Sequence, residues 1–107
     1  MRFEVLFFEG CPNHRLAVER AKNALAQESV EAEVAEVRVA DEAAARELGF
    51  LGSPTVRING KDVEPAARGL TQFGMCCRTY FEGGRRSGAP SQEMIRAAVR
   101  EALGVER

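Results

Sequence analysis

The chain lacks the features that identify membrane, secreted and nucleic-acid-binding proteins. It has no apolar run close to the ~20 residues that a membrane-spanning helix needs. The apolar stretch at residues 3–8 is short and contains Glu4, so it does not resemble the core of a signal peptide. The formal net charge of −1 provides no attraction to nucleic acid or to an anionic membrane. We therefore expect a cytoplasmic protein that binds neither of them.

The common catalytic motifs are also missing. The sequence contains no phosphate-binding loop, no zinc-protease motif and no Ser-His-Asp pattern, and His14 is its only histidine. What remains for chemistry is three cysteines, Cys11, Cys76 and Cys77. They cannot all pair within one chain. In a reducing compartment, free cysteines are more often catalytic, redox-active or metal-binding than structural.

The length of the chain predicts a single domain, residues 1–107, which can bury roughly two-thirds of its unfolded surface. Apolar runs and period-two alternation predict strands, and helical spacing between cap residues predicts helices. The predicted strands cover residues 2–8, 31–39, 55–58 and 76–81, and the predicted helices cover residues 12–28, 41–48 and 91–103.

This order of elements, βαβα followed by ββα, predicts an α/β fold. A right-handed βαβ unit places the first two strands parallel and adjacent. The last two strands then form an antiparallel pair, which gives a four-stranded mixed sheet with helices on both faces. Residues 61–74 show no clean period and are predicted to be a loop with one helical turn near residues 65–68. Cap residues mark two of the helices, Asp41 and Ser91 at their starts and Gly49 and Gly104 at their ends.

The most informative stretch is the first junction between strand and helix, Gly10-Cys11-Pro12. Pro12 is expected at the first helical position, where its fixed φ suits a helix. Cys11 then faces unpaired N–H groups and the positive end of the helix dipole, which favour a thiolate. The alternative interpretation is a buried, inert thiol. His14 lies three residues further along the helix, close enough to contact Cys11, unless it is merely an exposed helix residue.

Cys76 and Cys77 form a vicinal pair on a predicted strand, so their side chains point to opposite faces. One interpretation is a core cysteine beside a surface cysteine. The functional alternatives are a resolving thiol for Cys11 and soft ligands for Cu(I), Zn²⁺ or Hg(II). If Phe81 lies opposite Pro54 in a simple hairpin, Cys77 lies roughly 13 Å further along the strand. A disulfide needs Cα atoms within about 7 Å, so this hairpin excludes a bond between Cys11 and Cys77 unless the loop at residues 61–74 shifts the register or the strand moves.

The order of elements, the Gly-Cys-Pro junction and Ser53-Pro54-Thr55 at the start of the third strand together resemble the thioredoxin/glutaredoxin fold. The likeness covers nearly the whole chain. Short motifs are similar to those of small bacterial thioredoxin-like proteins labelled thioredoxin-family or alkylmercury-lyase-like: Gly10-Cys11-Pro12-Asn13, Gly52-Ser53-Pro54-Thr55, Cys77-Arg78-Thr79-Tyr80 and Gly88-Ala89-Pro90-Ser91. The resemblance implies a cis peptide bond before Pro54, which lies against the reactive cysteine. It also implies substrate-binding roles for Pro12, Ser53, Pro54 and Thr55.

The chain departs from the dithiol pattern of that fold, because His14 stands where the second cysteine of Cys-x-x-Cys is expected. The resemblance implies a thiol-dependent redox protein in which Cys11, His14 and Cys77 are catalytic. It would use mixed-disulfide or thiolate chemistry on a small thiol, a peroxide or a protein disulfide, with no required cofactor. The alternative is a handler of mercury or another soft metal ion (Hg, Cu or Zn), in which Cys76 and Cys77 would capture the ion and could pass it to Cys11. An adaptor without thiol chemistry is the third hypothesis, and the sequence leaves the oligomeric state open.

Overall fold

Six strands, three α-helices and one 3₁₀ turn follow one another in the computed structural model, which describes residues 1–104. The last three residues of the expected domain lie outside the described part. In chain order the elements are β1 (Phe3–Phe7), α1 (His14–Gln27), β2 (Val34–Arg38), α2 (Glu42–Leu48), β3 (Thr55–Ile58), β4 (Lys61–Asp62), the 3₁₀ turn (Pro65–Ala67), β5 (Tyr80–Glu82), β6 (Arg85–Ser87) and α3 (Gln92–Leu103). No helix within residues 1–104 has the length and apolarity needed to cross a membrane.

The main sheet has four strands in the order β2-β1-β3-β4. Strand β1 runs parallel to β2 and antiparallel to β3, and β4 is antiparallel to β3. Strands β5 and β6 form a separate two-stranded ribbon. The α/β class and the four-stranded mixed sheet are therefore confirmed.

The identity of the fourth strand differs from the prediction. The partner of β3 is β4, which follows at once after Asn59 and Gly60, and not residues 76–81. Both turn residues have positive φ, 53° and 82°, as a two-residue hairpin turn requires. This turn returns the chain immediately along β3. The edge of β3 that faces away from β1 is therefore already paired with β4 and is not available to residues 76–81. The helical turn expected near residues 65–68 is confirmed by the 3₁₀ turn.

The sheet has an apolar cluster on each face, because successive strand residues point to opposite sides. Helices α1 and α3 cover one face, and α2 covers the other, which confirms the expected two-sided arrangement. Members of the larger cluster include Phe3, Val5, Val56, Ile58, Ala17, Ala21, Ile95 and Val99. The smaller cluster contains Leu6, Val39, Ala45 and Phe50.

The helix ends follow from local side-chain chemistry. Asp41 accepts a hydrogen bond from the backbone N–H of Ala44 at 2.8 Å, and Ser91 accepts one from Met94 at 3.0 Å, so both predicted N-caps are confirmed. Gly49 and Gly104 end their helices in the left-handed conformation, as predicted.

Helix α1 is tied to α3 by a carboxylate at its end. Glu28 accepts hydrogen bonds from Arg96 at 2.9 Å and from Arg100 at 2.8 Å. These two hydrogen bonds lower the pKa of Glu28, Arg100 having the larger effect. The two helices are therefore joined by charge as well as by apolar packing.

Candidate functional site

Cys11 lies in a tight turn between β1 and α1. Its N–H donates to the carbonyl of Phe8 at 3.3 Å, and its own carbonyl accepts from the N–H of His14 at 3.4 Å. Helix α1 begins at His14, with Asn13 as its N-cap, and not at Pro12 as predicted. Cys11 therefore lies two residues further from the start of the helix than expected. The side chain of Cys11 is half-buried. The cysteine is thus held beside the end of β1 by backbone hydrogen bonds.

The start of β3 lies beside this turn. The Oγ of Ser53 accepts a hydrogen bond from the N–H of Phe8 at 3.3 Å, so Phe8 contacts both Ser53 and Cys11. The peptide bond between Ser53 and Pro54 is cis, as the resemblance implied. Both residues are buried. These backbone contacts bring the Cys11 turn and the Ser53-Pro54 segment together.

Cys77 pairs with Ser53 in an isolated parallel bridge. The N–H of Ser53 donates to the carbonyl of Cys76 at 2.8 Å, and the N–H of Arg78 donates to the carbonyl of Ser53 at 3.1 Å. Adjacent strands are about 4.8 Å apart, so the backbone of Cys77 runs directly alongside Ser53. The predicted register, with Phe81 opposite Pro54, is wrong. The 13 Å separation derived from it no longer excludes a bond between Cys11 and Cys77.

The same bridge affects the expected substrate-binding residues. Both backbone polar groups of Ser53 are paired with the chain's own Cys76 and Arg78. The side chain of Thr55 is buried and also satisfied, since it donates to the carbonyl of Gly52 at 2.6 Å and accepts from Arg78 at 3.2 Å. In this conformation Ser53 therefore offers no free backbone edge to an extended peptide.

A buried polar network holds the segment after Cys77 in place, and sequence reasoning did not find it. Arg78 donates to the two carboxylate oxygens of Asp62 at 2.7 and 2.8 Å, and to Glu64 at 3.2 Å. The side chains of Arg78 and Asp62 are only 5% and 6% exposed. The Arg78 guanidinium also lies 4.1 Å from the ring centroid of Tyr80, whose hydroxyl donates to the Pro54 carbonyl at 2.6 Å. The network fixes residues 78–80 to Pro54 and Thr55, and the backbone bridge fixes residues 76–78 to Ser53.

Burial, hydrogen bonds and neighbouring charges together shift the pKa values of Arg78 and Tyr80 in this network. Burial lowers the pKa of Arg78, but its hydrogen bonds to Asp62 and neighbouring negative charges outweigh that effect, so the pKa is raised overall. Burial raises the pKa of Tyr80, so its hydroxyl stays protonated and continues to donate to Pro54. The only sequence signal for the network is the charged Arg78 between cysteines and an aromatic residue on a predicted strand.

The side chain of His14 contacts Glu36 and Phe7 and does not hydrogen-bond Cys11. Its Nε2 lies 2.7 Å from an Oε1 of Glu36 on β2, and its ring stacks on Phe7 with centroids 3.6 Å apart. Within residues 1–104, no hydrogen bond joins the His14 side chain to Cys11. The expected interaction between the His14 side chain and the Cys11 thiol is therefore not formed as a hydrogen bond in this conformation, and the two residues are linked through their backbones instead.

The vicinal cysteines are both exposed. The thiol of Cys76 lies 3.7 Å from the carbonyl of Gly74 and 3.9 Å from that of Leu51. The part of the chain that the structure describes contains no group of three or more His, Cys, Asp or Glu side chains arranged to hold a metal ion. The two exposed thiols are accessible to reagents without unfolding.

The comparisons with known proteins give one match. No curated protein and no solved structure matches the chain. A family model described as a domain of unknown function (DUF2703) matches residues 13–99, which include Ser53, Cys77 and the Arg78 network but not Cys11. Because the match covers most of its length, the chain belongs to the DUF2703 family.

Proposed function

We propose that this protein is a thioredoxin-like thiol–disulfide redox protein in which Cys11 attacks the substrate and Cys77 resolves the resulting mixed disulfide. The observation that carries the proposal is the bridge between Ser53 and Cys77. Ser53 contacts Phe8, and Phe8 accepts the backbone hydrogen bond of Cys11. Cys11 is therefore connected to Cys77 through two residues that hydrogen-bond each other, Phe8 and Ser53. In sequence the two cysteines are 66 positions apart (77 minus 11).

Two further features support a thioredoxin-like fold. A parallel β1–β2 pair is followed by an antiparallel β3–β4 hairpin in one sheet, with helices on both faces. The junction containing Cys11 lies next to the residue that precedes Pro54. Both features support the thioredoxin-like resemblance, although the strand that pairs with β3 is β4 and not residues 76–81.

The proposed reaction is a two-electron exchange. The Cys11 thiolate attacks one sulfur of a substrate disulfide, so a mixed disulfide forms and the other substrate sulfur leaves as a thiolate. The Cys77 thiolate then attacks the sulfur of Cys11, which forms a Cys11–Cys77 disulfide and releases the second substrate thiolate. The substrate gains two electrons and the protein loses two. A low-molecular-weight thiol reductant returns the protein to its dithiol form.

A small disulfide fits this site better than a protein disulfide. The backbone edge of Ser53, where an extended polypeptide would pair, is already filled by residues 76–78. A small disulfide needs access only to the half-buried Cys11, because the exposed Cys77 attacks the sulfur of Cys11 and not the substrate. We therefore propose a low-molecular-weight disulfide as the substrate class.

The experiment is thiol mapping by mass spectrometry after mild oxidation with diamide. We expect a Cys11–Cys77 disulfide in the wild type and in Cys76→Ser, and its loss in Cys77→Ser. Cys76→Ser is a matched control because it removes the neighbouring exposed thiol. A Cys11–Cys76 disulfide, or a small-thiol adduct on Cys11 with Cys77 left free, would contradict the assignment of Cys77.

A second candidate function is the capture of a soft metal ion, which the exposure of both vicinal thiols favours. Neighbouring side chains on an extended segment point to opposite sides, so Cys76 and Cys77 are poorly placed to share one ion. Calorimetry with Hg(II) distinguishes the pairs. Loss of affinity in Cys76→Ser supports a vicinal site, whereas loss only in Cys11→Ser and Cys77→Ser indicates that the metal occupies the proposed redox pair.

A further inference from the structure

An open cleft of about 500 Å³ lies beside β3, away from the Cys11 site. Its walls come from the end of α2, the β3–β4 hairpin and the chain after the 3₁₀ turn. None of the candidate cysteines lines it. Its volume is within the usual range for small-molecule sites. The residues that define it here, called the hairpin cleft, are Gly49, Leu51, Arg57, Lys61, Leu70 and Phe73.

Arg57 provides the cleft with a partly desolvated cation. Its guanidinium donates to the carbonyls of Leu48 and Gly49 at the end of α2. A guanidinium has five N–H donors, so donors remain for a further acceptor. No carboxylate within residues 1–104 lies within ion-pair distance of Arg57, and its cross-strand neighbour Glu4 pairs with Arg2 at 3.6 Å. Burial lowers the pKa of Arg57, which reflects this loss of solvent.

The other charges around the cleft leave Lys61 as a second cation without an ion pair in the described part of the chain. The carboxylate of Asp62 is occupied by Arg78 at 2.7 and 2.8 Å. The guanidinium of Arg68 is occupied by Glu101 at 2.8 and 2.9 Å. Arg57 and Lys61 are therefore the two cations of the cleft that form no ion pair in the described part of the chain, although the charges of Asp62 and Glu4 act on Arg57, and that of Glu101 on Lys61, from beyond ion-pair distance.

An apolar wall lies next to these cations. A Cβ atom built on Gly49 would lie 3.5 Å from Nη2 of Arg57 and 3.6 Å from Cε1 of Phe73. The guanidinium and the ring therefore both lie next to this glycine. Leu70, on the same cleft, is 55% exposed. Such apolar exposure beside an unpaired cation suits a ligand that has one charged end and one apolar end.

We propose that the hairpin cleft binds a small carboxylate with a short apolar body. The fork of Arg57 matches a carboxylate in shape, and Lys61 adds a second positive charge. The apolar body lies against Phe73 and Leu70. This proposal is independent of the thiol chemistry proposed for Cys11.

The test is an NMR titration of the full-length protein with hexanoate as the probe. We expect saturable shifts at Arg57, Lys61 and Phe73, and weaker binding of hexan-1-ol, which lacks the charge, and of inorganic phosphate, which lacks the apolar body. Arg57→Gln and Lys61→Gln should each weaken hexanoate binding by about tenfold, because a hydrogen bond between charged groups contributes at least that much. Arg86→Gln, an exposed cation on β6, is the matched control and should not change the affinity.

Two results would overturn the proposal. One is the absence of saturable shifts in the hairpin cleft. The other is equal binding of hexanoate and hexan-1-ol, which would mean that the cations do not contribute. If Arg57→Gln destabilises α2 by removing its hydrogen bonds to Leu48 and Gly49, the Lys61→Gln variant and the comparison of the two probes still decide the question.

Discussion

Arg78 and Asp62 form a buried, two-pronged ion pair at 2.7 and 2.8 Å immediately after Cys77. Removing one partner of such a pair leaves an uncompensated charge in the interior. We expect Asp62→Ala to lower the free energy of unfolding by about 3–5 kcal/mol, measured by urea denaturation. Arg85→Met, which removes an exposed arginine on β6, is the matched control and should change stability by less than about 0.5 kcal/mol.

The double variant Asp62→Leu/Arg78→Met tests whether the two residues act as a pair. Because it removes both charges, it should be less destabilised than the sum of its single variants. Additive losses would contradict direct coupling between Arg78 and Asp62. Faster alkylation of Cys77 in the single variants would further indicate that the pair holds this cysteine against Ser53.

Gly52 is expected to be the most restrictive glycine near the site. Its φ is +120°, and a Cβ there would lie 3.0 Å from the carbonyl oxygen of Cys76 and 3.1 Å from the Cβ of Arg78. Backbone strain alone would lower the free energy of unfolding of Gly52→Ala by about 1–3 kcal/mol. Because of these close contacts, we expect the loss to be larger than that. Gly69→Ala is the control, because Gly69 also has positive φ (+95°) but a Cβ added there would meet nothing within 4 Å.

The measurement for Gly52→Ala combines urea denaturation with hydrogen exchange of the Arg78 amide. That amide donates to the carbonyl of Ser53, so its exchange should accelerate when the bridge is displaced. Equal losses in the Gly52 and Gly69 variants would show that contact with the 76–78 segment is unimportant.

His14→Gln should have little effect on the reactivity of Cys11. The histidine ring is held by Glu36 at 2.7 Å and by stacking on Phe7, and does not hydrogen-bond Cys11. Because the His14 ring does not hydrogen-bond the thiol, we expect a change of less than about threefold in the iodoacetamide alkylation rate of Cys11. Removal of a true general base would typically lower the rate by about 100-fold or more. A much larger decrease would mean that His14 leaves Glu36 and acts on the thiol.

Glu28 is expected to make stability depend on pH. Hydrogen bonds from Arg100 and Arg96 lower its pKa in the folded state from the usual 4.5. Its contribution is therefore fully present above about pH 4.5 and is lost as the pH falls through the lowered folded-state pKa. The melting temperature of the wild type should exceed that of Glu28→Gln at pH 7, and the difference should shrink below pH 4.5.

The matched control for that experiment is Glu31→Gln, an exposed carboxylate before β2 that forms no ion pair in the described part of the chain. A constant difference between wild type and Glu28→Gln from neutral to acidic pH would contradict the role given to the Glu28 carboxylate.

The elements that the sequence predicted correctly depend on local chemistry. The caps at Asp41 and Ser91 and the left-handed ends at Gly49 and Gly104 each involve residues within one helical turn. The alternation that predicted a strand at residues 31–39 also needs no knowledge of distant segments, and in β2 Val34 and Val37 do pack on opposite faces of the sheet. These local signals predict the structure correctly because the tertiary contacts favour the same conformations.

The incorrect predictions concern pairings between distant residues. Strand β4 has only two residues, too few to show a period, so the sequence predicted a loop in its place. The bridge between Ser53 and Cys77 is reinforced by a pair 16 residues apart, Arg78 and Asp62. Neither hydrophobic periodicity nor motif spacing reports such an ion pair. The position of Cys77 beside Ser53 therefore could not be derived from the sequence alone.

The bridge between Ser53 and Cys77 also affects how the protein is made. Cys11 emerges from the ribosome well before Cys77, and its contact with Phe8 can form early, but the bridge must wait for a loop of 24 residues (77 minus 53) to close. During synthesis the first thiol is thus present without its proposed partner. A truncated chain that ends before residue 77 would contain Cys11, yet it would lack the segment that completes the site.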